Sequence, residues 1–184
     1  MAAKKQMEGE VFYPSEEVVA QARLKDWDAL AEKAHKDLQG FWADEARELE
    51  WYKPWDKVLD DSNKPFFKWF VGAKTNIVHN AVDRHLTTHR KNQLALIWES
   101  EDGKLDRSFS YYSMNREVSR FANIIKSMGI QKGERVTIYM GRIPEIVFAM
   151  LACAKIGAIH SVVFGGFSVD SLQGRIDDSQ SKLV

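Results

Sequence analysis

The chain has one cysteine, Cys153, in 184 residues, so no disulfide can form within it. That fits a reducing compartment. Neither sign of charge is in excess, since 26 lysines and arginines face 26 aspartates and glutamates. A nucleic-acid binder normally carries a basic surplus, and a protein held on an anionic membrane carries a polybasic cluster. Long apolar runs are missing too. The longest, Ile143 to Ile156, is interrupted by Pro144, Glu145 and Lys155 and is too short to cross a bilayer. The first ten residues hold no apolar core of signal-peptide length. These absences predict a soluble, cytoplasmic chain with no nucleic-acid and no membrane partner.

Motifs of chemistry are equally scarce. There is no GxGxxG and no GxxxxGK followed by Ser or Thr. Ser161 lacks the GxSxG elbow, and Cys153 has no cationic neighbour in sequence, so nucleophilic catalysis is not supported. A buried structural thiol is the expected role of Cys153. No HExxH or CxxC accompanies the histidines. His85 and His89 are four apart and would share a helix face, but surface or hydrogen-bonded roles are the expectation. His160, inside an apolar run, is expected to make a core hydrogen bond. Asp83 and Arg84 read as an ordering ion pair or cap. No catalytic and no metal-binding residue is assigned.

What is present divides near residue 75. Residues 1–75 read as a helical N-terminal extension, rich in charge and tryptophan. Ser15 precedes Glu16 and Glu17, a helix start with acid in its first turn. Trp27, Leu30, Ala31 and Ala34 follow helical spacing, as do Phe41, Trp42, Glu45, Ala46 and Leu49 after a break at Gly40. Pro54 keeps Lys53 out of helical backbone and ends that pattern. Four of the six tryptophans fall between residues 27 and 55. Packing, rather than ligand stacking, is their expected use.

Residues 76–184 alternate strands with helices. Leu94–Trp98 and Ser108–Tyr112 read as an antiparallel pair around Asp102-Gly103. Met114, Val118, Phe121, Ala122, Ile125 and Met128 sit at helical spacing before Gly129. Arg135–Met140 reads as a strand. Pro144 suits the first turn of a helix that Gly157 ends, and its apolar faces predict near-complete burial. Ala158–Phe164 is a strand without alternation, as in a sheet covered on both sides. Ser168 caps a helix through Ile176, and residues 182–184 look like a strand beginning. Strands linked by crossover helices make the class α/β, part of a doubly wound, mostly parallel sheet with a helical N-terminal extension. Three parallel strands would leave an open edge. The expectation is therefore that further strands normally follow Val184, or that a partner chain covers the edge.

One loop has the shape of a ligand site. Phe164-Gly165-Gly166-Phe167-Ser168 lies between a strand and a helix start, at the strand end where open α/β sheets bind ligands. Small residues admit close backbone approach, and a helix start offers N–H groups to an anion. The loop is either a tight structural turn or a wall of a ligand site. Arg142, after the preceding strand, either meets a phosphate or faces solvent.

Several stretches resemble the acetyl-CoA synthetase family of AMP-forming, adenylate-forming enzymes: Arg135–Met140, Ile143-Pro-Glu, Ala149–Ser168, Asn80–His85 and Ala95–Glu99. Trp51–Trp55 and the helices before it resemble that family's N-terminal extension. The resemblance runs from about residue 15 to the end. It implies that residues 76–184 are the first part of the AMP-binding domain. The implied reaction joins ATP, a short-chain carboxylate and CoA through an acyl-adenylate, with Mg²⁺ offsetting phosphate charge. The phosphate loop, hinge aspartate and adenylation lysine would lie beyond Val184, in the rest of the polypeptide, so the segment alone would be inactive. Phe164, Gly165 and Gly166 are implied to lie on the CoA side. Relatives commonly have Pro after the strand's Tyr-Met, where this chain has Gly141 and Arg142, so the acyl group is left open. The alternative is a stand-alone α/β binding or interaction module derived from such an enzyme.

Overall fold

The structure, a computed structural model, describes residues 13–184. The expectation about the first ten residues lies outside the described residues. A helical unit ending at Ala46 is separate from a larger unit, Arg47–Val184.

The smaller unit contains α1 (Glu16–Gln21), α2 (Trp27–Lys36) and α3 (Leu38–Ala46). Short polar side chains start each helix by accepting from backbone N–H groups that have no partner within the helix. Ser15 Oγ accepts from Val18 N–H and Asp26 Oδ1 from Ala29 N–H, at 3.4 and 2.9 Å. The expected break at Gly40 moves to Asp37. Its carboxylate accepts from Gly40 N–H at 2.8 Å, which places Gly40 inside α3. A Cβ on Gly40 would come within 2.1 Å of that carboxylate, so the residue read as a breaker makes room for the cap.

The larger unit opens with a hairpin that the sequence reading did not anticipate: β1 (Lys57–Asp60) antiparallel to β2 (Lys68–Val71). The 1–75 stretch is therefore not helical throughout. The hairpin is held by aromatic rings, with Phe70 at 5.5 and 5.2 Å from Trp51 and Trp55. Packing is thus the observed use of these tryptophans. Then come α4 (Ile77–Ala81) and two short 3-10 turns, 83–87 and 89–92. His85 and His89 fall in different turns and share no α-helical face. Asp83 and Arg84 do not pair with each other. Asp83 accepts from Lys155 Nζ with both oxygens at 2.8 Å and from Asn115 Nδ2 at 2.6 Å. Arg84 donates to Glu48 O and Asn80 Oδ1.

The α/β body follows the sequence closely. β3 (Leu94–Glu99) and β4 (Asp106–Ser110) are antiparallel, and Tyr111 and Tyr112 belong to the next helix, α5 (Tyr111–Ser127). Ser110 Oγ caps that helix, taking its start one turn earlier than the apolar periodicity indicated. Met114, Val118, Ala122 and Ile125 form its buried stripe, while Met128 is exposed. β5 (Arg135–Tyr139) is followed by α6 (Pro144–Ile156), β6 (Ile159–Val163) and α7 (Val169–Ser179).

β5 is the middle strand. It pairs in parallel with β6 on one side and with Leu183 on the other. Thr137 N–H donates to Leu183 O at 2.9 Å, and Lys182 N–H to Arg135 O at 3.0 Å. The chain thus steps outward to β6 and returns across β5. With right-handed crossovers, that reversal sends α6 and α7 to opposite faces, the mark of a doubly wound sheet. The core lies between β5, α5, α6 and α4, with Val78, Val118, Phe148, Ala152 and Cys153 buried to 1% exposure or less. No residue of α6 is exposed, as its composition predicted. β6 departs from its expectation: Ile159 and Val162 are exposed, and being three positions apart they lie on opposite faces, so neither face of that strand is fully covered among the described residues. The His160 ring is half-buried and makes no hydrogen bond among the described residues, so the expected core bond is not found.

Candidate ligand site at the carboxyl end of the parallel strands

β5 and β6 end side by side, so the two loops that follow them face each other. Met140–Ile143 leaves β5 and Phe164–Phe167 leaves β6. A cleft of about 580 Å³ separates them, its lining including Arg142, Ile146, Phe164, Gly165 and Gly166. Tyr139 ties the walls together, its hydroxyl donating to Gly165 O at 3.1 Å. The site residues Phe164, Gly165 and Gly166 and the candidate cation Arg142 therefore meet in one place, at the strand ends where α/β sheets bind ligands.

The glycines serve different purposes. Neither has a positive φ. A Cβ on Gly166 would meet Phe164 Cε1 at 2.7 Å, so glycine there lets the Phe164 ring fold back over its own loop. A Cβ on Gly165 would meet nothing closer than Met140 O at 3.8 Å, leaving that side open to the cleft. Phe164 and Phe167 pack edge to face at 5.9 Å and both remain exposed. Each carries a cation: the Arg142 guanidinium lies 5.8 Å from the Phe164 ring centre and Arg175 lies 5.0 Å from that of Phe167.

The start of α7 contributes less than its position implied. Ser168 Oγ accepts from Ser171 N–H, and Asp170 sits in the first turn. The helix thus meets part of its own need for negative charge, and an anion there would face a carboxylate. Positive charge in the cleft comes from Arg142. That side chain is exposed, yet its backbone is tied down, because Trp98 Nε1 donates to Arg142 O at 2.7 Å. Just beyond it, Arg107 pairs with Glu145 in the first turn of α6, also at 2.7 Å. The Arg107 hydrogen bond holds the Glu145 carboxyl below its ordinary range. These ties were not visible in the sequence, because they join residues 44 and 38 positions apart.

Other groups considered for chemistry have structural surroundings. Cys153 is fully buried, and burial pushes its thiol up, away from the thiolate a nucleophile needs. Thr137, buried on β5, is satisfied by Ser181 Oγ at 2.7 Å. His79 bonds Glu50 at 2.7 Å. His85 packs at a tilt against Tyr111, ring centres 4.8 Å apart, and burial, with Arg84 and Arg90 nearby, lowers its pKa. Among the described residues no group of His, Cys, Asp and Glu is gathered to hold a metal, and no helix is long and apolar enough to cross a membrane.

Parallel strands, crossover helices and a cleft at the strand ends define an open, doubly wound α/β protein. Residues 82–184 match the AMP-binding enzyme family, and the chain belongs to it. Residues 27–81 match the acetyl-coenzyme A synthetase N-terminus. An acetyl-coenzyme A synthetase of Laribacter hongkongensis is 50% identical over 177 residues, 94% of this chain and 27% of that protein. One from Pyrobaculum arsenaticum is 51% identical over 162 residues, 83% of this chain and 24% of that protein. The acetoacetyl-CoA synthetase of Streptomyces lividans shares the fold, with a TM-score of 0.81 over 92% of this chain and 29% of that one, at 24% identity. The chain spans about a quarter of the length of the curated relatives it matches. Their names bear out the resemblance read from Ala149–Ser168.

Proposed function

We propose that the chain is the N-terminal portion of an AMP-forming, short-chain acyl-CoA synthetase and is inactive as this segment alone. One observation carries the reading: about half of the residues are identical to acetyl-coenzyme A synthetases across both matched segments. In the proposed reaction a carboxylate oxygen attacks the α-phosphorus of ATP and expels pyrophosphate. The CoA sulfur then attacks the acyl carbonyl and expels AMP. The role of this segment is binding and framing. Phe164, Gly165 and Gly166 wall the CoA side of the cleft, with a flat ring and an open backbone edge suited to a nucleotide. Arg142 adds the charge that a phosphate needs. ATP and Mg²⁺ would be met by the rest of the polypeptide, since no phosphate loop and no metal ligands are assigned here. Residues 1–75 form the extension and 76–184 open the AMP-binding domain. The compartment proposed is the cytoplasm.

Two measurements on the chain test this. Titration calorimetry with CoA should give a Kd in the range of about 0.1–1 mM, as expected of an open half-site. Gly166→Val, which pushes Phe164 aside, should weaken it at least about tenfold. Acetate-dependent ATP–pyrophosphate exchange should be absent. Robust exchange by the 184-residue chain would overturn its assignment as catalytically incomplete, and CoA affinity indifferent to Gly166→Val would remove the cleft from the CoA path.

A further inference from the structure

The pattern of contacts around Arg142 assigns a task to residues far from it in sequence. The β5–α6 loop reads Gly141-Arg142-Ile143 before Pro144, so no proline ring stiffens it. Two side chains from the β3–β4 hairpin grip that loop instead. The Trp98 indole N–H donates to Arg142 O, and the Arg107 guanidinium holds Glu145 three residues further on, each at 2.7 Å. Arg107 is itself braced, lying 5.2 Å from the centre of the Phe109 ring. The hairpin strands pair with each other, Trp98 opposite Arg107. Both grips therefore come from one cross-strand pair of the hairpin.

The held residue is left open at its charged end. Among the described residues the Arg142 guanidinium has no hydrogen-bond or ion-pair partner, only the face of Phe164. Glu99 and Glu101 line a neighbouring cleft of about 610 Å³ together with Trp98, Arg142 and Phe164, yet neither makes an ion pair with Arg142. A cation fixed by its backbone, backed by an aromatic face and without a carboxylate partner is set up to receive an anion.

We propose that Trp98 and Arg107 are positioning residues that hold Arg142 over Phe164 to bind a phosphate group of the nucleotide ligand. This rests on assigning the cleft to CoA. The residues themselves touch no ligand and act through the loop. Pinning its backbone before the ligand arrives removes part of the ordering cost of binding.

A double-mutant cycle read by CoA affinity separates positioning from simple structural support. Arg142→Ala should weaken CoA binding about tenfold, as expected for one lost charge-assisted contact, and should flatten its dependence on NaCl. Trp98→Phe, which keeps the ring and removes the donor, should lose about three- to tenfold in the wild-type background and less than about twofold in the Arg142→Ala background. Arg107→Met should behave likewise, and Arg107→Lys should recover part of the loss. Equal losses from Trp98→Phe in both backgrounds would mean that it supports the fold and does not act through Arg142, which overturns the proposal. A second readout needs no ligand: the Trp98 indole proton should exchange more slowly than that of the exposed Trp27, and Trp98→Phe should loosen the Arg142 amide in NMR relaxation. Free exchange at Trp98 overturns the positioning role even if CoA binds well. If CoA does not bind the wild-type chain while the indole is protected, the assignment of the cleft to CoA fails, and the proposed phosphate contact fails with it.

Discussion

The two crossovers of the parallel sheet, β5–α6–β6 and β6–α7–Leu183, are built to one plan and differ in how much of it is buried. α6 contributes Phe148, Ala149, Ala152 and Cys153 to the core and has no exposed position. α7 contributes no buried residue. Their ends differ in the same way. α6 closes on Gly157 with φ +77°, a residue free to adopt the left-handed turn, whereas α7 closes on Gln180 at φ +50°. The candidate cleft lies at the joint between them, where the buried crossover ends and the exposed one begins. A firm strand end and a more open loop thus meet at the candidate cleft.

The sharpest way to break that contrast is to hollow out the first crossover. Phe148 is 1% exposed and packs edge to face on Phe109 at 5.0 Å. Phe148→Ala should cost about 3–5 kcal/mol, read as a lower urea midpoint with the slope unchanged. A loss below about 1 kcal/mol would mean that the core does not depend on α6. In the second crossover the strongest local contribution is the cap. Ser168→Ala should cost about 0.5–1 kcal/mol and should raise amide exchange in the first turn of α7 while leaving α6 protected. Equal effects on both helices would erase the distinction. The smallest effect is expected at Gln180. Gln180→Gly relieves a left-handed residue but loosens the unfolded chain and gives up an Arg135 contact at 3.3 Å, so stability should move by less than about 0.5 kcal/mol.

What was legible in the sequence follows the same division. Met114, Val118, Ala122 and Ile125 announced α5 because one face of a helix repeats every three or four residues. Pro144 and Gly157 marked the ends of α6 through backbone constraints that act locally. The β1–β2 hairpin escaped notice because its strands have four residues each and show no clear alternation. Its order comes from Trp51 and Trp55 closing on Phe70. Gly40 misled for a related reason, since its small size serves the Asp37 carboxylate rather than a chain break. The candidate site was half legible. Phe164–Gly166 stood out as a glycine loop at a strand end, but what surrounds Arg142 did not.

By itself the sequence determined the order of elements from Leu94 onward, the burial of α6 and the place of the glycine loop, because caps, turns and periodicity act over a few residues. Only the tertiary structure decided that β5 is the middle strand, that Asp83 pairs with Lys155 rather than Arg84, and that Trp98 and Arg107 reach the loop carrying Arg142. Those contacts join residues tens of positions apart, and their geometry exists only once the hydrophobic core has brought the elements together.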